Sequence, residues 1–164
     1  MRRTPATALG LVLLAACTSG ASGSGAPMRI RTALEALEAA EFRFDADVRF
    51  RVDPYVVCEG IACADLVVLE HRRTILLAPD ALRSDDVLKA SLLEIWERYR
   101  EPRPGSGRDL ARGAYRVVQD GPRVGIVDRD LIRRARLRYT QLYELLSPAE
   151  RAGLPEPAGV GAPL

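Results

Sequence analysis

Histidine is almost missing from this sequence, which contains His71 and no other. Zinc hydrolases and the Ser/His and Cys/His nucleophile systems normally need imidazole, so most of these enzyme classes become less plausible. Lysine is equally scarce, with Lys89 as its one representative. The positive charge is therefore carried by arginine, and with so much alanine, glycine and proline this is typical of codon bias in a GC-rich genome. The abundance of arginine is thus no evidence of function.

A surplus of charge of either sign is also lacking. The 164 residues include 24 Lys and Arg against 22 Asp and Glu, and removal of the first sixteen residues would take away Arg2 and Arg3 and leave equal numbers. A neutral chain gives no electrostatic reason to expect nucleic acid as a partner. The length and the 28% of charged residues fit one modest globular domain.

The chain has no apolar run long enough to cross a bilayer. The run at 6–16 has roughly half of the ~20 residues that a membrane-spanning helix needs. It follows the basic Arg2 and Arg3 and ends at Cys17, which is the layout of a secretory signal peptide. We therefore expect an exported protein whose first sixteen residues are removed.

The end of this run, Leu14-Ala15-Ala16-Cys17, resembles the lipobox of bacterial lipoproteins. The resemblance implies cleavage before Cys17 and acylation of that cysteine, and two or more acyl chains give lasting membrane attachment. Thr18 stands where inner-membrane lipoproteins of enterobacteria typically carry aspartate. The resemblance therefore implies a periplasm-facing anchor in the outer membrane, with the outer face of the cytoplasmic membrane as the alternative.

Composition divides the chain into four parts. A signal peptide at 1–16 precedes the lipidated cysteine and a Ser/Gly-rich flexible tether at 17–27. One globular domain is expected at 28–152. The Pro/Gly-rich end at 153–164 has no periodicity and is expected to be a disordered tail.

Hydrophobic periodicity predicts an α+β domain, with a small antiparallel sheet of about three strands packed against several helices. Alternation of apolar and charged residues predicts the first strand, and helical spacing with N-cap residues predicts the helices. The predicted elements are a helix at 30–41, strands at 44–52, 65–70 and 74–78, a helix from Ser84 to about Arg100, a helix capped by Asp109, an extended segment at 123–127, a helix capped by Asp128 and a turn from Ser147.

Cys58 and Cys63 flank four residues in a predicted loop. In an exported protein a disulfide is the default for such a pair. Closing so small a ring contributes about 2 kcal/mol on the chain-entropy estimate, so it would shape the loop more than stabilise the fold. A redox role would favour two intervening residues, and a metal site would need ligands beyond His71.

The long helix after the third strand carries the most suggestive segment, LEIWE at 93–97. It resembles the HExxH helix of gluzincin-type zinc metallopeptidases, in which two histidines hold the metal and the glutamate beside the first activates a water. Glu94 matches that glutamate and is the candidate catalytic residue. Leu93 and Glu97 replace the histidines, and Asp109 stands where the helix with the third ligand would come. The resemblance covers 28–120 and implies a zincin-like outline without metal or cofactor, that is, a pseudoenzyme.

The same helix has a simpler interpretation. Glu94 and Arg98 would form an i,i+4 pair on a solvated face beside Glu97, with Trp96 in the core or at the rim. A third interpretation, in which Glu94 and Glu97 are paired acids for glycoside cleavage, fits less well with an arginine between them. Trp96 and Glu97 are therefore candidates for a binding surface.

Two further features have competing interpretations. His71 lies on a polar turn between strands and is expected to be an ordinary exposed residue rather than a ligand or base. Arg133 and Arg134 belong to an arginine-rich helix that would contact phosphate-bearing lipid headgroups or, more simply, solvent, because acidic residues interrupt it.

The sequence contains no complete catalytic constellation, so the leading hypothesis is a lipid-anchored envelope lipoprotein that acts as a non-catalytic binding domain. Its partner would be an envelope protein or the cell-wall surface, in addition to the membrane that holds Cys17. One alternative is a diverged zinc-dependent peptidase with unusual or partner-supplied ligands. Another is a passive structural envelope lipoprotein with no specific ligand.

Overall fold

The structure is a computed structural model that describes residues 25–69, 72–100 and 106–157. It confirms the α+β class. The elements within the described residues are α1 (Ala26–Ala39), β1 (Arg49–Val52), β2 (Ala64–Leu69), β3 (Arg72–Leu77), α2 (Asp85–Arg100), α3 (Gly107–Asp120), α4 (Arg129–Leu145) and α5 (Pro148–Arg151), with 3₁₀ turns at Pro79–Arg83 and Gly121–Val124.

The three strands form a mixed sheet, so the prediction of a purely antiparallel sheet is wrong. Their order is β1-β3-β2; β2 pairs with β3 as an antiparallel neighbour, whereas β1 runs parallel to β3. The physical reason is the long connection at 53–63, which crosses the end of β3 and so places β1 and β2 on opposite sides of it. A tight hairpin after β1 would have paired β1 with β2 instead.

The crossing connection is fastened at both ends to β3. The amide of Asp53 donates to the carbonyl of Leu77 at 2.9 Å, and the amide of Ala78 donates to the carbonyl of Cys63 at 2.8 Å. Cys58 and Cys63 are joined by a disulfide, as predicted. Gly60 has a positive φ of 70°, which a glycine adopts readily, and this allows the six-residue ring to turn.

β1 is shorter than the alternation at 44–52 predicted. The chain turns before the strand, where the amide of Val48 donates to the carbonyl of Asp45 at 3.1 Å. Phe44 instead packs against the rings of Phe50 and Tyr99, with centroids 5.4 and 5.2 Å away. Tertiary packing of Phe44 therefore replaces the first half of the predicted strand.

The helix ends follow local capping chemistry. Asp128 caps α4 as predicted, with its Oδ1 accepting from the amides of Asp130 and Leu131. For α3 the predicted cap is wrong by one turn: Ser106 is the N-cap, and Asp109 is its reciprocal partner in a capping box. The predicted extended segment at 123–127 is also partly wrong, because Gly121–Val124 forms a 3₁₀ turn.

α2 is the central helix and is buried on nearly every side. It packs against β2, α1 and α3, and its side chains Leu88, Leu92 and Leu93 are fully buried. Such a helix belongs to the core rather than to an amphipathic surface layer. Among the described residues no helix is both long and apolar enough to span a membrane.

The first residues of the predicted tail contact the helices. The hydroxyl of Tyr139 donates to the carbonyl of Pro155, and just before the tail Arg108 Nη2 donates to the carbonyl of Ala152 at 2.9 Å. Leu154 packs with a second apolar cluster between α3 and α4. Residues 158–164 of that tail, the signal peptide, Cys17 and His71 lie outside the described residues.

Hydrogen bonds to Asp86 fix where α4 starts relative to α2. Asp86, in the first turn of α2, accepts through its Oδ2 from the amides of Val127 and Asp128, at 2.9 and 2.8 Å. Charge-assisted bonds of this kind are stronger than neutral ones. The beginning of α4 is thereby attached to the beginning of α2.

Candidate functional site

The two glutamates singled out on α2 are both buried, so the solvated-face interpretation is wrong. Glu94 is 3% exposed and Glu97 is 2% exposed. Arg98 does not pair with Glu94 along the helix; its Nη2 donates to Asp65 Oδ1 on β2 at 3.0 Å. The physical reason is that α2 lies between the sheet and two later helices, whose charged side chains reach the glutamates.

Glu94 lines a polar pocket of about 400 Å³ between the crossing connection and helices α2, α3 and α4. Small-molecule sites typically measure ~300–1,000 Å³, so this pocket is at the lower end of that range. Its wall combines five acidic or basic side chains with apolar residues. The lining residues are Tyr55, Val56, Val57, Glu59, Ala62, Ala64, Asp65, Glu94, Ile95, Arg98, Leu110 and Arg138.

The carboxyl group of Glu94 is poorly satisfied for its depth. Oε1 accepts one long bond, from Arg138 Nε on α4 at 3.3 Å, and Oε2 is buried with no hydrogen-bond partner among the described residues. Burial raises the pKa of Glu94 to about 7, against the opposing charges of Arg138 and Arg98 and with a small contribution from Glu59. The group therefore titrates near neutral pH.

Gly113 on α3 sets how deeply Glu94 lies. A Cβ at this position would stand 2.7 Å from Glu94 Cγ and 2.8 Å from the Glu94 carbonyl oxygen. The missing side chain therefore lets α3 approach α2 closely at the level of Glu94. This approach helps to remove the carboxyl group from water.

Arg98 brings a second unsatisfied group to the same pocket. Its Nε is buried without a hydrogen-bond partner among the described residues, while its Nη2 bonds to Asp65. Glu94 and Arg98 thus both line the pocket and each has a buried polar atom without a partner, which is uncommon in folded proteins. Sites of this kind are candidates for ligand binding because an incoming group can supply what is missing.

The crossing connection covers the pocket and supplies its rim. The side chain of Ile61 is fully buried, and its carbonyl accepts from Ser91 Oγ on α2 at 3.4 Å. Tyr55 and Val57 also line the pocket but are largely exposed to solvent, with exposed fractions of 91% and 76%. Large apolar groups exposed beside a polar pocket are a recurring feature of binding sites.

Glu97 belongs to a different arrangement, one turn further along α2 on a neighbouring face of the helix. It accepts from Arg112 Nη2 at 3.0 Å and from Arg116 Nε and Nη2 at 2.8 and 2.6 Å. Arg116 also bonds to Asp120, which in turn accepts from Arg123 at 2.8 Å. These residues form a charge network that satisfies both carboxylates and joins α2 to α3.

Trp96, predicted as a core or rim residue and as a candidate for a binding surface, lies in the core. It is buried, its Nε1 donates to the carbonyl of Arg43 at 3.0 Å, and its ring meets Phe42 edge-on at 5.0 Å. The guanidinium of Arg100 lies 4.5 Å from the ring centroid. Trp96 and Glu97 therefore hold α2 in place and do not offer an open surface.

The positions that would carry zinc ligands in an HExxH helix point to different surroundings. Leu93 is fully buried in the apolar core, and Glu97 faces arginines of α3. Asp109 is occupied by the amide of Ser106. Across 25–69, 72–100 and 106–157, no three His, Cys, Asp or Glu side chains are close enough together to hold a metal ion.

The arginine-rich helix α4 divides its side chains between two surroundings. Arg133 and Arg134 are exposed, and Arg133 pairs with Asp130 at 3.1 Å. Arg138 is largely buried at the pocket. Sequence reasoning counted Arg138 among the solvated arginines and missed its place at the pocket. It also missed that Asp65, Tyr55 and Arg98 line the same pocket.

One signal in the sequence pointed toward Arg138. Tyr139, an apolar aromatic residue at the helical spacing of Ala135, is buried, and Arg138 directly precedes it, so Arg138 lies at the edge of the buried face of α4.

Comparisons of the chain with protein-family models, with curated proteins and with solved structures find no match.

Proposed function

We propose that this protein is an exported lipoprotein, anchored through Cys17, that acts as a non-catalytic binding domain for an envelope protein or a cell-wall component. The observation that supports binding is the pocket in which Glu94 Oε2 and Arg98 Nε are buried without partners. Leaving a polar group buried and unpaired costs about 1–3 kcal/mol, so a ligand that pairs with it recovers that cost.

The anchor rests on the Leu14-Ala15-Ala16-Cys17 segment and is tested by its chemistry. Mass spectrometry of the protein extracted from cell membranes should find an acylated Cys17 as the N-terminal residue. A Cys17→Ser variant should lose the acyl mass and leave the membrane fraction. An intact Met1 terminus without fatty acid would overturn this part of the proposal.

The binding role is tested by photo-crosslinking in cells that express the full chain. A photoreactive residue in place of Val57, on the pocket rim, should give one reproducible product in the envelope. The matched control replaces Val127, which is 83% exposed and does not line the pocket. Equal products at both positions, or none at Val57, would contradict specific binding and favour a passive structural lipoprotein.

A second candidate is a hydrolase, which the Glu94 pKa of about 7 favours because a general acid or base works best near the ambient pH. This candidate includes the diverged zinc peptidase. Peptide hydrolysis that needs stoichiometric zinc and disappears in Glu94→Gln would establish it and overturn the binding proposal. A binding domain should show no turnover in either form.

A further inference from the structure

The pocket arginines retain hydrogen-bond donors that the chain does not use. A guanidinium has five N–H groups in a fixed fork. Among the described residues Arg138 donates to Glu94 alone and Arg98 donates to Asp65 alone. Each of the two arginine side chains is 19% exposed, so both remain partly accessible. The pocket is therefore rich in donors and needs acceptor atoms.

The charges around these donors favour one kind of acceptor. Asp65 is already engaged by Arg98 and by the amide of Leu66 at 2.8 Å. Arg138 has a weaker partner, because burial disfavours the charged form of Glu94. When Glu94 is protonated, Arg138 has lost its counter-ion. A planar guanidinium in that state binds a carboxylate through two parallel bonds.

The rest of the wall suits an apolar group attached to such a carboxylate. Val56, Ala62 and Leu110 line the pocket, and the exposed Tyr55 and Val57 extend its rim. Apolar surface of this kind contributes binding free energy in proportion to the area that it removes from water. A ligand with a carboxylate and an adjacent apolar group would use both parts of the wall.

We propose that the pocket binds a free carboxylate carried on an apolar group, and that Arg138 exchanges its bond to Glu94 for bonds to that carboxylate. The proposal rests on the proposed binding function and names its ligand class. The chemistry is shared by a peptide C-terminus that ends in an apolar residue and by a short alkyl carboxylate. No covalent bond is made, and Glu94, where it is ionised, takes up one proton from solvent.

The proton uptake follows from the groups that face Glu94. Arg138 from α4 and Arg98 from α2 favour its charged form, Glu59 from the crossing connection disfavours it, and α3 presents the uncharged Gly113. A ligand carboxylate adds a second negative charge beside Glu94. Binding therefore stabilises the protonated side chain, and acid pH favours the complex.

The test measures binding to the full chain, extracted in detergent, by titration calorimetry. The probes are N-acetyl-Val-Leu with a free C-terminus, the same dipeptide with a C-terminal amide, and 4-methylpentanoate with its amide. We expect the acid of a pair to bind at least tenfold more tightly than its amide. If only the protein with protonated Glu94 binds the acids, the Glu94 pKa of about 7 predicts about tenfold weaker binding at pH 8 than at pH 6.

Two variants separate the proposed exchange from a structural effect. Arg138→Gln should abolish binding of the acid probes, whereas the exposed Arg31→Gln on α1 should bind as the original chain does. Glu94→Gln should bind the acids with the pH dependence removed. Thermal unfolding of each variant checks that it is folded. If Arg138→Gln does not fold, the loss of pH dependence in a folded Glu94→Gln still decides the test.

The outcomes are distinguishable. Binding of the dipeptide acid alone supports a peptide C-terminus, and binding of both acids supports any apolar carboxylate. Equal binding of acids and amides, no binding of either acid, or unchanged binding in a folded Arg138→Gln would overturn the proposal. A cross-link at Val57 that persists in those cases would leave the binding function standing and remove the ligand class alone.

Discussion

Glu94 and Glu97 are buried to the same degree on the same helix, three residues apart, and yet their surroundings differ. Glu97 accepts three bonds of 2.6 to 3.0 Å from two arginines. Glu94 accepts one bond of 3.3 Å, and its second oxygen has no partner among the described residues. A satisfied buried carboxylate stabilises the fold, whereas an unsatisfied one has free energy to gain from a ligand. The comparison therefore separates a carboxylate whose bonds join α2 to α3 from one that is left poorly satisfied at the pocket.

The largest expected effect on stability comes from removing Glu97, the carboxylate whose bonds are satisfied. Glu97→Ala leaves Arg112 and Arg116 without their shared acceptor, and removing one partner of a buried ion pair typically costs 3–5 kcal/mol. We expect the free energy of unfolding, measured with urea at pH 7, to fall by about 4 kcal/mol. Glu35→Ala, at an exposed position on α1, should change it by less than about 0.5 kcal/mol. A loss below about 0.5 kcal/mol for Glu97→Ala would contradict the stabilising role given to its ion pairs.

Substitution of Glu94 should raise the stability, whereas substitution of Glu97 lowers it, and the size of the gain should depend on pH. The pKa of Glu94 is raised from 4.5 to about 7 by burial, so the folded state binds the proton more tightly than the unfolded state does. Stability from this group is complete below pH 4.5 and is lost as the pH rises to 7, by about 3 kcal/mol at most. Glu94→Gln should therefore be more stable than the original chain at pH 8 and about equal at pH 4.5. Parallel urea curves at the two pH values decide this.

Opening the cover over Glu94 should have an intermediate effect. Replacing both cysteines, as Cys58→Ala with Cys63→Ala, releases the crossing connection and should cost about 2 kcal/mol of unfolding free energy. Because water then reaches Glu94 more easily, the pH dependence just described should shrink as well. An unaltered pH dependence in the double variant would show that the connection does not shield the carboxyl group.

The smallest effect is expected at Gly113. An alanine there must displace the Glu94 side chain and approach its carbonyl oxygen, which costs about 1–3 kcal/mol, while helix propensity returns about 1 kcal/mol. The net loss should be about 1 kcal/mol in thermal or urea unfolding. Gly107→Ala in the same helix meets only the flexible end of Leu146 and should be nearly neutral. Equal effects at both glycines would contradict the close approach.

The fold class was predictable because its signals are local. Helical spacing of apolar residues and the caps at Asp128 and Ser147 depend on neighbours within a few residues, and they placed α4 and α5 correctly. The pairing of β1 with β3 was not predictable, because it depends on the path of a long connection. β-strand partners are set by contacts that are distant in sequence.

Of the site, the sequence could indicate Glu94 but not its partners, because those partners are distant in the chain. Glu94 stood out through its place in an HExxH-like segment, but its burial depends on Gly113 and Arg138, which lie 19 and 44 residues later in the chain. The local rule favoured an i,i+4 pair with Arg98, and Arg98 instead bonds to Asp65 across the fold. Nothing in the spacing of charges distinguishes an exposed pair from one that a later helix covers.

The attachment of α4 to Asp86 makes the number of residues in that helix matter. Arg138 follows Asp128 by ten residues, or about 15 Å of helix, measured from a start that is bonded to the first turn of α2. Inserting or deleting one residue between them would turn Arg138 by about 100° around the helix axis and carry it away from Glu94. Length in this stretch is therefore constrained more tightly than the identity of its exposed residues.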